Sequence, residues 1–380
     1  MTTEHDPAVV SAMQDKFAWF ARNALQDDPL YQALAGVAAR RPDWAALLAV
    51  APATQRWPML WFAALQDRVL ALTDAGERPA LADYYASAGT ARAPDAALEP
   101  LVGEFIERHR DVLAHCIATR TTQTNEIGRC VVLWPVLQGL VEEAGRRRIA
   151  LLDVGCSAGL NLGVDRWRYR YLDDATGDPL STTPPDRDAR APEIACRVLA
   201  GARPTATAVP EIVSRHGIDL DPIAVDDANA VRWLRACLWP HDTERRLRFD
   251  AAVAVARTQA WPLSAVTDSA TAIGEWLDSV PAGTTPVIVN SWVLSYFDAP
   301  LLRAYVDSVL GQVAGRGATW ICADDPKLSR AWWPDKPASE ADQRPNATSW
   351  TVARPDGRGG VAWQLAATSH AHGRWMRWKG

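Results

Sequence analysis

Ile149-Ala150-Leu151-Leu152-Asp153-Val154-Gly155-Cys156-Ser157-Ala158-Gly159-Leu160-Asn161 decides the fold. A short β-type apolar run closed by a glycine reads as a buried parallel strand. Gly155 and Gly159 form a tight turn whose backbone can approach a ligand closely, and the helix expected from Leu160 would offer unpaired N–H groups. Strand, turn and helix start together predict a small-molecule site; a purely structural turn is the alternative.

Upstream, apolar residues recur at helical spacing from about Ser11 to Gly145, as in Phe17, Phe20, Ala21, Ala24 and Leu25, or Trp57, Leu60, Trp61, Ala64 and Leu65. Breaks fall at Asp27-Asp28-Pro29, Arg41-Pro42-Asp43, Gly76 to Pro79 and Gly89 to Pro94, and Leu98 to Thr119 reads as one long helix. Downstream, strand-like runs at Ser214–Leu220, Leu263–Thr267, Pro286–Val293 and Ala318–Ala323 alternate with helical runs at Ala228–Leu238, Glu244–Arg257, Ala270–Ser279 and Pro300–Val313. This alternation predicts an α/β fold, a Rossmann-like doubly wound and mostly parallel sheet with ligands at the strands' carboxyl ends. The expected organisation is a helical N-terminal domain over 1–145 and a Rossmann-like domain over 146–380. Pro-rich stretches at 173–212 (Pro179, Pro184, Pro185, Pro192, Pro204, Pro210) and 324–349 read as insertions or lids, and Ser349 to Trp378 as a terminal hairpin turning at Pro355-Asp356-Gly357.

The 380 residues carry 40 Lys plus Arg against 45 Asp plus Glu, a net charge of −5, which argues against sequence-independent nucleic-acid binding. An apolar share of 48% suffices for a large core. The apolar stretch from Cys130 to Val141, interrupted by Pro135 and Gln138, falls short of the ~20 residues that span a bilayer, and the polar start Met1 to Asp6 lacks the order of a secretory signal. Cys116, Cys130, Cys156, Cys196, Cys237 and Cys322 form no Cys-x-x-Cys pair and read as reduced thiols of a cytoplasmic protein. The 18 Trp read chiefly as core and seam residues. His109 and His115 face differently on their helix, and His370-x-His372 lacks a third ligand, so no metal is expected.

Asp153 separates the ligand classes. A pyrophosphate would be repelled by a carboxylate at the strand end, and Gly-x-Gly-x-x-Gly is absent. S-adenosylmethionine, with an ammonium and a sulfonium, would be attracted. Gly155-Cys156-Ser157-Ala158-Gly159 also matches the Gly-x-Ser-x-Gly elbow of serine hydrolases, with Asp324 or Asp325 and His370 or His372 following in hydrolase order; that fold, however, needs strands before the elbow. The cofactor reading requires that the chain's own side chains leave room beside the turn. Thr124-Asn125-Glu126 precedes a helical run: either Thr124 or Asn125 caps it, with Glu126 favouring its positive N-terminal end, or the loop folds over the strand ends, supplying Asn125, Glu126 and Arg129 to a substrate, with Glu126 as general base.

The Asp153-to-Gly159 segment resembles the first motif of class I S-adenosylmethionine-dependent methyltransferases, with Ser157 replacing the middle glycine. More closely, the chain is similar to the bacterial domain of unknown function 2332 family. That likeness lies in Thr124–Cys130, Gly155–Leu162, Gly217–Pro222, Trp233–Ala236 with Trp239-Pro240, and His372–Trp375. The resemblance implies a methyltransferase-like fold. Cofactor binding would involve Asp153, Gly155, Ser157, Gly159 and Asn161; the ribose acid would be Asp219, or Asp173/Asp174; Asp268 would lie near the adenine amino group. Asn290-Ser291-Trp292 would stand at the fourth strand end, facing the transferred methyl, with Tyr296 one turn away as a hydrogen-bonding or proton-transfer group. Methyl transfer to a small molecule is the expected activity. A non-catalytic ligand-binding or assembly protein of the same fold is the alternative from another class.

Overall fold

The computed structural model describes residues 6–25, 28–182, 188 and 190–379; Met1 to His5, Asp27, Pro184 and Pro185 lie outside them. By internal contacts the chain divides into two compact units, Met1–Thr124 with Asp226–Leu247, and Asn125–Val225 with Arg248–Gly380.

The first unit is helical, with helices Pro7–Asn23, Pro29–Ala38, Pro58–Asp74, Leu98–Thr119 and Ala228–Ala236. Their starts follow from the sequence: Asp28 accepts the Tyr31 N–H at 2.9 Å while Pro29 takes the first helical position, where no N–H is needed. Phe17, Tyr31, Trp44, Trp61 and Phe62 fill the core, joined by Trp233. Helix Ala228–Ala236 therefore belongs to this unit. Arg232 pairs with Asp67 at 2.9 Å, and the Gln66 amide donates to the Leu238 carbonyl at 3.0 Å.

The second unit carries an eleven-stranded, mostly parallel sheet. Its strands are β1 (Arg148–Val154), β2 (Arg168–Asp173), β3 (Pro179–Thr182), β4 (Glu193–Val198), β5 (Glu211–Asp219), β6 (Leu263–Ala265), β7 (Thr285–Ser291), β8 (Thr319–Asp324), β9 (Ala347–Pro355), β10 (Val361–His370) and β11 (Trp375–Trp378). The order is β3-β2-β4-β11-β10-β9-β8-β7-β1-β5-β6. The parallel core β6-β5-β1-β7-β8, ranked by position in the chain, reads 3-2-1-4-5, so the winding reverses between β1 and β7. β9 and β10 form the antiparallel hairpin expected near the C-terminus, but it lies inside the sheet between β11 and β8 instead of closing its edge.

Strand alternation sets the two faces of β1. Ala150, Leu152 and Val154 share a core with Ile273, Trp276, Leu302, Tyr305 and Val309 from helices Ser269–Ser279 and Ala299–Arg316. Leu151 and Asp153 therefore point to the opposite face.

Two expectations require correction. No long helix follows the glycine turn: Leu160–Gly163 is a single 3₁₀ turn, after which the chain runs to β2, β3 and β4 at the far end of the sheet. The helix N-terminus expected at the turn is thus missing, because the β1-to-β5 connection is built of strands. Consequently the first Pro-rich stretch contains sheet strands rather than forming only a loop. The division into units also falls at Thr124, not at 145, with helix Cys130–Ala144 in the sheet-bearing unit. No described helix is long and apolar enough to cross a membrane.

Candidate functional site

The switch between β1 and β7 places Val154 beside Asn290. Just beyond, two non-glycine residues take left-handed backbone, Ser157 (φ 49°) after β1 and Trp292 (φ 57°) after β7. Such conformations cost of order 1–3 kcal/mol and concentrate where the surrounding structure enforces them. At Ser157 the enforcement is visible: its N–H donates to Asp219 Oδ2 at 2.8 Å, and its hydroxyl accepts the Asn125 amide at 2.7 Å. Asn125 Oδ1 also accepts the Ala158 N–H at 3.1 Å. The middle position of the turn therefore holds a serine with its polar atoms engaged.

Asp153 and Asp219 end adjacent parallel strands, and only the first is fully enclosed. Asp153 is 3% exposed, and its Oδ2 has no hydrogen-bond partner among the described residues. Burial pushes its carboxyl up to about 7, the Asp219 charge pushes the same way, and Arg129 partly opposes both. Asp219 is half-buried and accepts the Asp221 N–H at 3.1 Å as well as that of Ser157. It is thus the acid beside β1, whereas Asp173 lies in β2 at the far end of the sheet, paired with Arg203 at 2.7 Å.

Arg129 is 5% exposed and ties three segments together. Nε donates to the Ala371 carbonyl at 2.9 Å, and Nη1 to the Ser291 carbonyl at 3.0 Å and hydroxyl at 3.1 Å. Its guanidinium lies 5.8 Å from the Trp292 ring centroid. Glu126 caps the 3₁₀ turn Ile127–Arg129 through the Gly128 N–H at 2.8 Å, and its other oxygen faces His372 Nδ1 at 3.8 Å. The capping residue is therefore Glu126, not Thr124 or Asn125 as expected, while Asn125 turns to Ser157 and Ala158. Asn161 stands nearby, its Oδ1 accepting the Cys130 thiol at 3.3 Å.

Not every expected residue converges. Asn290 is fully buried on the helix-packed face, where its Oδ1 accepts Trp320 Nε1 at 2.7 Å and the Tyr305 hydroxyl at 2.8 Å. It shares that face with Val154, so its neighbour Ser291 is the β7-end residue that meets Arg129. Strand alternation was the signal that could have singled out Ser291 within Asn290-Ser291-Trp292. Asp268 caps helix Ser269–Ser279 from an exposed loop, and its carboxyl is held low by the Thr271 hydroxyl and N–H and the Ala270 N–H. Tyr296 is 69% exposed after β7.

The glycines have an internal explanation. A Cβ on Gly155 would lie 2.4 Å from Val293, and one on Gly159 2.7 Å from Leu263. The protein's own side chains fill the room beside both glycines, Val293 on the helix-packed face and Leu263 on the face of Asp153, since Asp153, Gly217 and Leu263 are register partners in adjacent parallel strands. Val293 packs with the helix-face core, whereas Asp153 points to the other face. The site there is a carboxylate pair, a tethering arginine and a carboxylate–imidazole contact, suited to holding a cation and moving a proton. Among the described residues, no three His, Cys, Asp or Glu side chains converge as a metal site.

The family model described as an uncharacterised protein conserved in bacteria, domain of unknown function 2332, matches residues 14–378. No curated protein and no solved structure matches the chain.

Proposed function

Because the chain belongs to that bacterial family, whose description assigns no activity, we propose from the site itself that it binds S-adenosylmethionine and transfers the methyl group to a small molecule. The observation that carries this reading is the Asp153–Asp219 pair: a buried carboxylate with an unpartnered oxygen beside a second acid, in a site where a cationic ligand relieves the repulsion. The winding order 3-2-1-4-5 adds support, since ligands of such sheets bind at the reversal point.

The residues present fit the ligand by charge. Asp153 would face its cationic groups and Asp219 its ribose hydroxyls, with Ser157 and Asn125 fixing the turn between them. Gly155 and Gly159 lend no separate support, since Val293 and Leu263 account for them. When bound, the sulfonium supplies an already activated methyl group, so the chain's part is to orient the acceptor, exclude water and receive a proton.

For the serine-hydrolase alternative, the Ser157 hydroxyl is engaged by an amide donor, and every described element before β1 is helical. Neither feature favours an elbow nucleophile.

Calorimetry with S-adenosylmethionine tests the proposal. Micromolar-range binding that Asp153→Asn weakens at least tenfold is expected; absence of binding to the native chain rejects it.

A further inference from the structure

We propose that this site takes up its cationic ligand in exchange for a proton: Asp153 carries that proton in the ligand-free chain and loses it to water as the cation arrives. Ligand affinity therefore rises with pH, and a neutral nucleoside gains nothing from the exchange. The inference rests on the S-adenosylmethionine reading and adds to it a proton count and a charge preference.

Hydrogen bonding decides which of the two acids holds the proton. Asp219 accepts an N–H at each carboxylate oxygen, Ser157 at 2.8 Å on Oδ2 and Asp221 at 3.1 Å on Oδ1. Such donors favour a charged carboxylate. Asp153 has the opposite setting: it is 3% exposed, and its Oδ2 meets no donor among the described residues. A carboxyl enclosed without a donor, beside the charge of a second acid, is stabilised by protonation.

The neighbours of Asp153 supply no competing proton. Its register partners on the flanking strands are Gly217 in β5 and Val289 in β7, neither of them titratable. The charged and titratable groups coupled to it are Asp219 at the end of β5, Arg129 in the 3₁₀ turn, Cys130 at the start of helix Cys130–Ala144, and Cys156 in the turn after β1. Arg129 draws the carboxyl down, but burial and Asp219 outweigh it and the balance lies at about 7. Burial, joined by the Asp153 charge, pushes both thiols up. They stay protonated near neutral pH, and of these groups Asp153 is the one whose charge changes there.

The exchange does not require the ligand to touch Asp153. A cation lodged at the ends of β1 and β5, where Ser157 and Asp219 lie, acts on the enclosed carboxyl through protein of low dielectric. One positive charge arrives as one leaves, so the net charge of the site is the same before and after. The protein thereby avoids burying either a bare pair of carboxylates or an uncompensated cation.

Calorimetry of S-adenosylmethionine with the full chain at pH 6, in two buffers of unequal ionisation enthalpy, counts the protons. At that pH the ligand's α-ammonium is itself charged. The expected release is about 0.9 proton per ligand, and affinity should be about tenfold higher at pH 7 than at pH 5.5. Asp153→Asn should release no proton and bind equally at both pH values. Binding by the native chain without proton release, or with affinity unchanged over that range, overturns the exchange and leaves the methyl-transfer reading standing. Failure of the native chain to bind at either pH sinks the methyl-transfer reading instead. Carbon-13 NMR of the ligand-free chain reads the proton independently of any variant: the Asp153 carboxyl should titrate at about pH 7. Titration in the ordinary carboxylate range overturns the exchange even where the ligand binds.

Discussion

The Asn125 amide donates to the Ser157 hydroxyl at 2.7 Å, joining the segment after the long helix Leu98–Thr119 to the turn after β1. Ser157 takes a backbone conformation that a glycine would adopt without penalty, and Asn125 is one of the groups that hold it there. Asn125→Ala removes the Ser157 contact and leaves the Ala158 N–H without its acceptor. The expected loss is about 1–3 kcal/mol in chemical denaturation. Asn23→Ala, which removes an exposed bond to the Trp19 carbonyl, should change stability by no more than about 0.5 kcal/mol.

Asp153 carries a pH signature. Its folded-state pKa, about 7, stands above the unfolded carboxylate range, so between roughly pH 4 and 7 the folded chain binds the extra proton. Stability from this group is present at low pH and is lost as pH rises through 7. Asp153→Asn, which cannot ionise, should therefore be more stable than the native chain at pH 8, by up to about 4 kcal/mol, with the difference shrinking toward pH 5. Denaturant titrations at the two pH values measure it. Equal stability at both would mean that Asp153 is not held in a costly ionised state, and the charge argument for a cationic ligand would go with it.

Much of the frame was legible because periodicity is a local signal. The run Ile149 to Val154 became a buried strand, and Leu98 to Thr119 became helical but is broken by a kink at His109 (φ −117°, ψ 15°) rather than running as one helix. The β1-to-β5 crossover was not legible. Arg168 to Tyr171 reads as a weak strand in isolation and is stabilised by parallel pairing with β4 from Arg168↔Glu193 to Asp173↔Val198, a non-local partner that no window of sequence reveals. At the site, Asn125, Arg129 and Asp153 stood out through charge and position. Asn290 misled for a different reason: the end of β7 was clear, but which of two consecutive residues faced Arg129 depended on the register with β1.

Gly373 tests whether the two distant motifs are truly locked together. It has φ 69°, and an added methyl would run into the Gly128 carbonyl, a backbone atom that cannot swing aside. Gly373→Ala should cost more than about 3 kcal/mol or abolish folding. Gly139→Ala, in helix Cys130–Ala144 with open space around the new methyl, should instead raise stability by up to about 1 kcal/mol. Thermal melts of the pair separate steric exclusion from a general intolerance of substitution. A mild effect at Gly373 would show that the turn can retreat, and the contact between His372 and Glu126 would lose its basis.

Asn290 and Ser291 are adjacent in β7 yet should fail in opposite ways when truncated. Asn290→Ala leaves the Tyr305 hydroxyl and the Trp320 indole N–H without their shared acceptor in a fully buried layer. Each orphaned group costs about 1–3 kcal/mol, so a loss of about 2–5 kcal/mol is expected, with ligand affinity unchanged wherever the variant remains folded. Ser291→Ala removes one of the two bonds that Arg129 Nη1 makes to this residue and keeps the carbonyl contact. Its stability should fall by no more than about 1.5 kcal/mol, while the affinity for S-adenosylmethionine shifts because Arg129 is freer to approach and neutralise Asp153. Calorimetry and denaturation on the same two proteins decide the matter. If Asn290→Ala were stable and lost binding, the strand face assigned to the site would be the wrong one.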